Sequence, residues 1–493
     1  MFWFAQQSNP AALVPTTERC QLRSERLQVN KPETWSLAAI TLFLIPCAAL
    51  SYTGMKYYPV LHISRMHLIF LVFLPISLFL ISLAALFLRH EIRVVISVTL
   101  VSAGLSLYLA ETYLTFFSDS DTSQRQSPVE KKNRSNRDLS RLNSALFPSS
   151  FPAGYLRKLD TGHHVPIFES DSHHLLPLSG LANRRLAFCD EGYGIIEFTS
   201  DRFGFRNPDH VWESNEVQAA AIGDSYTQGA CVEDGVGFVD RLRSHWPKMV
   251  NLGMRGNGPL LMLGSLKEYL PAVRPQKVFW FFCENNDFHE LKKERTVSLL
   301  MQYLTPGFSQ HLMEKNQEVD RKLLKFITDV RQSGTRSRKH LSLPTAPKTT
   351  RERHLISNSI VQVGSWLTDF VKLRHLRSAT GLFHFQMNPE LITLFLRVLE
   401  EAKRTTESWG GELVFVMVPS STRLEGNVLK RGYSEAVAQM VVSIAKQIDL
   451  RVIDPAPEFR RHPQYSSLYP PLGKHFSPAG YALISDAVID AFR

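Results

Sequence analysis

The sequence predicts an α/β fold: a flavodoxin-like, doubly wound parallel sheet preceded by an all-α anchor of three membrane spans. Three observations carry this. Short apolar runs alternate with helical segments from Val217 to the C-terminus, and such alternation implies parallel strands joined by crossover helices. The run Lys277–Cys283, with Val-Phe-Trp-Phe-Phe at its centre, is apolar on both faces, as a strand covered by helices on two sides must be. Upstream, three long apolar runs lie in series at Ser36–Gly54, Met66–Leu88 and Val94–Phe117, each near the roughly 20 residues that cross about 30 Å of hydrocarbon.

A chain of 493 residues, 44% hydrophobic and 11% aromatic, exceeds one ordinary domain and can bury a core of several strands. The net charge of +10 and pI near 9.3 do not indicate nucleic acid. The basic residues are dispersed among acidic ones, and no nucleic-acid motif accompanies them. The charge favours an anionic lipid surface or an acidic glycan.

Residues 1–33 form a polar, basic tail with Arg19, Arg23, Arg26 and Lys31. Residues 34–117 hold the apolar runs, which lack a polar face and exceed the single short core of a cleaved signal peptide. They are expected to be three retained spans, with Pro46 and Pro75 as kinks tolerable in lipid. Glu111, near the end of the third run beside Tyr108 and Tyr113, is expected to be an interfacial carboxylate. A cytoplasmic tail and three crossings place everything after Phe117 outside the cytoplasm, in a multi-pass topology with the C-terminal domain extracytoplasmic.

Residues 118–144 are Ser, Asp, Asn, Arg and Lys with almost no apolar residue, the composition of a flexible tether. Residues 145–215 are a lead-in region of scattered Pro and aromatic residues. Its His163, His164, His173 and His174 have no Cys or carboxylate framework and read as solvated loop residues rather than metal ligands. The α/β domain occupies 216–493. Strands are expected at Val217–Gly223, Met249–Gly253, Lys277–Cys283, Leu413–Pro419 and Leu450–Asp454, and helices at Phe238–Trp246, Pro259–Leu270 and from Ser477–Pro478 to Phe492. Asn388-Pro389-Glu390 starts another helix, with Asn as cap and Pro at the first helical position. An insertion at about 288–385 interrupts the alternation. Leu312, Asn316, Val319, Leu323, Phe326, Ile327 and Val330 recur there at helical spacing, so an amphipathic helix packs on the domain, and Arg331–Arg353 has a disordered composition.

The chemistry-bearing stretch is Gly223-Asp224-Ser225-Tyr226-Thr227-Gln228-Gly229, directly after the apolar Ala219–Ile222. It delivers one serine hydroxyl to the carboxyl end of a strand, where open α/β sheets keep their ligand sites. Such a hydroxyl needs a base and oxyanion donors to act as a nucleophile. Asn251-Leu252-Gly253-Met254-Arg255-Gly256, Cys283-Glu284-Asn285-Asn286-Asp287 and Lys474-His475-Phe476-Ser477-Pro478 follow at successive strand ends.

In this order these blocks resemble the SGNH (GDSL-type) hydrolase family, in its membrane-anchored bacterial form, over about the last three-fifths of the chain. Ser200–Pro208 is similar to a lead-in segment found before the serine block in such proteins. The resemblance implies Ser225 as nucleophile and His475 as base. It implies an oxyanion hole from the Ser225 and Gly256 N–H groups and the Asn286 amide, with Asp224 and Asp287 supporting, and neither metal nor cofactor. Two positions depart from the family pattern: Glu284 replaces the Gly that opens the third block, and Leu472 replaces the Asp three residues before the histidine. A Ser225–His475 dyad is therefore expected, with Asp454, Glu458 and Glu284 as acids that could approach and none substituting fully.

The implied function is a serine-dependent acyl-ester hydrolase or O-acyltransferase on O-acetyl groups of an extracytoplasmic polysaccharide. Its partners would be an acylated glycan, the lipid bilayer and other membrane proteins of polysaccharide assembly, with no nucleic acid. A lipid esterase at the membrane surface is the alternative if the pocket mouth is apolar. An inactive glycan-binding or assembly module is the alternative that the missing Asp favours. Among five cysteines, an extracytoplasmic domain permits a Cys189–Cys231 bridge, or leaves those residues as unpaired buried thiols.

Overall fold

The computed structural model describes residues 73–85, 87–116, 147–148, 168–170, 173–213, 217–336, 370, 373, 375–376, 389–425, 428–470 and 475–493. The chain divides into two units, Met1–Leu109 and Ala110–Arg493. The first apolar run lies outside the described residues, as do the tether, most of Arg331–Arg353, His163 and His164. Of the second run, α1 is Leu74–Ala85, 12 residues long, or about 18 Å at 1.5 Å per residue. The third run forms α2, His90–Phe116. No helix among the described residues is long and apolar enough to cross a membrane, so the expected three-span anchor is not supported there: α1 is too short as described, and α2 carries His90, Glu91, Arg93 and Glu111. Leu80, Ile81, Val95, Val98, Leu105 and Leu109 on these helices are exposed. Glu111 is not an interfacial carboxylate. It is fully buried and accepts the backbone N–H groups of His375 at 2.8 Å and Leu376 at 2.6 Å.

The second unit is built on five parallel strands: β1 (Ala219–Ile222), β2 (Met249–Asn251), β3 (Lys277–Cys283), β4 (Glu412–Val418) and β5 (Arg451–Ile453). Their order across the sheet is β5-β4-β3-β1-β2. This is the flavodoxin-like order, which reverses direction between β1 and β3 and opens a crevice at the carboxyl ends of those two strands. Side-chain alternation builds a core on each face. Ala219, Ala221, Phe279, Phe281, Val414 and Val416 share one buried cluster with Phe238 and Leu242 of α3 (Phe238–Leu242) and with Ile484 and Val488 near the C-terminus. On the opposite face Phe282 stacks against Phe395, ring centroids 5.2 Å apart.

Further helices complete the unit. Pro259 at the first helical position opens α4 (Pro259–Val273), and α5 (Asp287–Glu294) follows β3 with Asn286 as its N-cap. In the insertion, α6 (Asn316–Arg336) buries Val319 and Leu323, as its amphipathic spacing requires. Asp320 of this helix accepts the Ala182 N–H at 2.8 Å and Asn316 donates to the Arg202 carbonyl at 2.6 Å, so it docks on the lead-in region. The helix expected from Asn388 is α7 (Pro389–Glu407), α8 spans Val428–Gln447, and the C-terminal α9 spans Pro478–Asp490.

The lead-in residues are integral to this unit. Strands Arg185–Ala187 and Glu197–Thr199 pair as an antiparallel hairpin. Asp201 organises the following turn, its carboxylate accepting from the Phe203 and Phe205 backbone, the Asn207 amide and the Trp212 indole. Asn207 bridges to β2, donating to the Asn251 carbonyl at 2.9 Å and accepting its N–H at 2.7 Å. Arg206 is 5% exposed and donates to the carbonyls of Gly229 at 2.6 Å and Val232 at 2.9 Å.

Candidate active site

Ser225 leaves β1 at its carboxyl end, in a tight turn closed by Gln228 N to the Asp224 carbonyl and Ala230 N to the Ser225 carbonyl. The turn is clamped from the β2 side. The Asn251 amide donates to the Thr227 carbonyl at 2.9 Å, and Gln228 Oε1 accepts the Arg255 N–H at 2.8 Å. Gly253 lies against the same turn, where a Cβ would meet Gln228 N at 2.4 Å. Residue 256 sits at φ +83°, a conformation that glycine adopts without strain.

His475 immediately precedes α9, whose cap Ser477 accepts the Gly480 N–H. Phe476 is fully buried and packs on Tyr226, centroids 4.9 Å apart. The Tyr481 hydroxyl donates to the Ala230 carbonyl at 2.9 Å. These contacts seat the start of α9 on the nucleophile loop, and His475 Nε2 then lies 2.9 Å from Ser225 Oγ.

The other edge of the ring meets a carboxylate that the sequence reading did not name. Glu191 Oε1 lies 2.7 Å from His475 Nδ1, and its Oε2 accepts the His475 backbone N–H at 3.1 Å. A carboxylate only accepts hydrogen bonds, so Nδ1 carries the proton and Nε2 is left to accept from the serine hydroxyl. The expected dyad is corrected to a Ser225–His475–Glu191 relay. Of the acids considered instead, Asp454 pairs with Arg423 at 2.7 Å, Glu284 pairs with Arg423 at 2.6 Å, and Glu458 lies near Arg461 at 3.7 Å. Leu472 lies outside the described residues.

Glu191 follows Cys189 by two residues and Cys231 follows Ser225 by six, and Cys189 is disulfide-bonded to Cys231, Cα atoms 5.2 Å apart. The bridge left open by the sequence is therefore formed, and it ties the acid's segment to the nucleophile's loop. Glu191, Cys231 and His475 bring potential metal-ligand atoms within 4.8 Å of one another, but the Cys231 sulfur is committed to the disulfide and both imidazole nitrogens to the relay. No sequence signal singled out Glu191, which sits in an exposed turn between Asp190 and Gly192; the nearby Cys189 was the only available pointer.

Asn286 donates from Nδ2 at 2.9 Å to Oδ2 of Asp224, the residue that precedes Ser225. An amide NH₂ has two N–H groups, and this contact engages one of them and orients the amide. Burial raises the Asp224 carboxyl above its usual range, with the Asn286 and Tyr226 N–H groups pulling it back. Asp287 lies beneath the block, accepting the Cys283 N–H at 2.9 Å, and burial pushes its carboxyl well up.

Asn286 lines a cavity of about 110 Å³ together with Glu284, Phe288, Ser420, Thr422 and Tyr433. Glu284 turns its carboxylate away to Arg423 and the Ser420 N–H, and burial lifts it to about 7 against the opposing pull of Arg423. Its partner Arg423 lines a second cavity of about 710 Å³ with Glu425, Arg431, Glu435, Arg460 and Tyr465.

No family model matches the chain. No curated protein matches it. Among solved structures it is similar to a lipolytic protein of the G-D-S-L family from Veillonella parvula, at 13% identity over 56% of this chain and 97% of that one, TM-score 0.30. A lipase/acylhydrolase from Enterococcus faecalis matches at 13% identity over 56% and 94%, TM-score 0.30. A catalytic mutant of an acetylxylan esterase from Geobacillus stearothermophilus matches at 14% identity over 55% and 92%, TM-score 0.28.

Proposed function

We propose that the chain is a serine esterase of the SGNH type that cleaves or transfers a small acyl group. The observation that carries this is the continuous hydrogen-bonded path from Ser225 Oγ through the imidazole of His475 to Glu191, with contacts of 2.9 Å and 2.7 Å. Ser225 Oγ attacks the ester carbonyl while its proton passes to His475 Nε2, and Glu191 stabilises the imidazolium. The oxyanion is held by the Ser225 and Gly256 N–H groups and the Asn286 amide. His475 then protonates the departing alkoxide, leaving acyl-Ser225. Water, or a sugar hydroxyl in transfer, attacks that ester with His475 as base, releasing the acyl group and restoring the serine hydroxyl.

An O-acetylated polysaccharide as substrate is supported by the resemblance of the four sequence blocks to membrane-anchored SGNH proteins. The Glu191 contact supports an active enzyme over a binding module. Attachment to the inner membrane is supported by the apolar N-terminal runs and by the exposed apolar residues of α1 and α2. A disulfide in the catalytic unit suits an oxidising, extracytoplasmic compartment.

The test is a fluorophosphonate probe on the purified full chain, read by intact mass and peptide mapping. One adduct on Ser225, absent in Ser225→Ala and accompanied by turnover of p-nitrophenyl acetate, is the expected result. An unlabelled wild-type protein with no ester turnover overturns the proposal. For topology, alkaline phosphatase fused after Arg493 should be active, and an inactive fusion overturns the extracytoplasmic placement.

A further inference from the structure

The triad acid comes from a segment separate from both nucleophile and base, so something must hold it to them. Glu191 lies in an exposed turn, residues 190–195, beyond the hairpin closed by Phe188 N to Ile196 O and Ile196 N to Cys189 O. Asp190 Oδ1 accepts the Gly192 and Gly194 N–H groups, which shapes the turn internally but does not attach it to the catalytic loop. The covalent attachment is the Cys189–Cys231 bridge. Cys231 is 1% exposed and its sulfur lies 3.9 Å from His475 Nδ1, so the bridge enters the site at the histidine that Glu191 serves.

We infer that the Cys189–Cys231 disulfide is a positioning element of the catalytic relay, and that the enzyme has full activity only in its oxidised form. This rests on the esterase reading above. With the bridge intact, the backbone two residues before Glu191 is fixed to the loop that starts at Ser225, and the carboxylate is presented to Nδ1 at 2.7 Å. A dithiol reductant reverses this. Its thiolate attacks the more accessible Cys189 sulfur, the S–S bond breaks and Cys231 leaves as thiolate. The second thiol of the reductant then closes on the mixed disulfide, so two electrons and two protons end on Cys189 and Cys231 while the reductant becomes a cyclic disulfide. The 190–195 turn is then no longer covalently held at the site, and Ser225 and His475 remain as a dyad.

The experiment compares wild type, Glu191→Gln and Cys189→Ser/Cys231→Ser, each as the full chain with p-nitrophenyl acetate, before and after dithiothreitol. Alkylation and intact mass confirm the thiol state, and near-UV circular dichroism follows the fold. The expected result is that reduction lowers wild-type kcat by at least about tenfold with KM unchanged, that the serine pair reproduces this, and that reoxidation restores it. Reduction should not lower the residual rate of Glu191→Gln, because the acid that the bridge positions is already gone. A reduced wild type, shown to hold two thiols, that keeps its kcat overturns the inference while leaving the esterase reading intact. Equal fractional losses in wild type and Glu191→Gln, or a collapse of the near-UV signal in step with activity, overturn it by making the bridge a general fold staple. An oxidised wild type without turnover instead defeats the esterase reading.

Discussion

Glu191→Gln is the sharpest test of the relay because it keeps the side chain's shape and changes only what it offers the histidine. In the native arrangement one carboxylate oxygen accepts from Nδ1 at 2.7 Å and the other from the His475 backbone at 3.1 Å. A glutamine can satisfy the backbone N–H with its carbonyl oxygen only by turning its NH₂ toward Nδ1. That favours the tautomer with its proton on Nε2, which faces Ser225 Oγ at 2.9 Å and cannot accept the serine's proton. Where a fully buried acid holds this position, the analogous amide change costs about 10⁴ in kcat. Here the side chains of Glu191 and His475 are 14% and 17% exposed, so water can partly compensate, and we expect about 10³, or about 4 kcal/mol at the transition state. Glu191→Ala should lose less, about 10², since water can accept the Nδ1 proton and the correct tautomer survives. The assay is kcat for p-nitrophenyl acetate at saturation, with active sites counted by fluorophosphonate stoichiometry. A Glu191→Gln enzyme within threefold of wild type, or a comparable loss in Asp454→Asn or Glu458→Gln, refutes the assignment of the acid.

Asn286→Ala should lower kcat by about 10² to 10³, the usual loss for one oxyanion donor, with KM little changed; an unchanged kcat removes Asn286 from the hole. Gly253→Ala places a Cβ 2.4 Å from Gln228 N and 2.6 Å from the Thr227 carbonyl carbon, so overpacking of about 1–3 kcal/mol should lower Tm by several degrees and slow probe labelling of Ser225; a wild-type melt contradicts it. Glu294, whose carboxylate accepts the Gly258 and Leu260 N–H groups at the start of α4, is lifted by burial to about 8. The folded protein then retains a proton that the unfolded chain releases near pH 4.3, so this group's contribution is fully present below that pH and is lost as pH rises toward 8, by up to about 1.4 kcal/mol per pH unit. Glu294→Gln should flatten that part of the stability profile in pH-resolved chemical denaturation, and an unchanged slope rejects the cause. A truncated chain beginning at Gln218, near the sequence-derived boundary, should fail to label with fluorophosphonate, because it lacks Glu191, Cys189 and Arg206; labelling at the wild-type rate contradicts the role of the lead-in.

The parallel strands and the nucleophile's place were legible because they follow from short-range pattern. Ala219–Ile222 followed by a glycine, and Lys277–Cys283 apolar on both faces, allow few arrangements once helices intervene, and the serine then falls at the switch point between β1 and β3. His475 was legible for the same reason, since the Ser-Pro start of α9 fixes where the preceding loop must lie. Glu191 was not. Its relation to His475 spans 284 residues and follows no periodicity, because an acid that acts on a ring from the far side needs only to be within hydrogen-bond reach. The reading of Glu111 failed similarly: a carboxylate near the end of an apolar run looks interfacial until the backbone donors at His375 and Leu376, 264 and 265 residues away, are known.

The displaced acid also accounts for the lead-in segment, which the sequence marks only by its similarity to a segment found before the serine block. An acid three residues before the histidine is held by the same loop and needs no further attachment. An acid supplied from before β1 must be fixed across a tertiary boundary, and three side chains near it do this. Arg206 is buried against the carbonyls of Gly229 and Val232 and pairs with Asp234, which ties the lead-in to the loop following Ser225. Asn207 pairs with the backbone of Asn251 on β2, and Cys189 bonds to Cys231. Closing a loop across 42 residues with a disulfide constrains the unfolded chain by about 4 kcal/mol in the chain-entropy account, so this bond contributes to stability as well as to alignment. The bonds from Arg206 and Asn207 fix the base of the hairpin, while Cys189 fixes its tip, and it is at the tip that Glu191 must reach Nδ1.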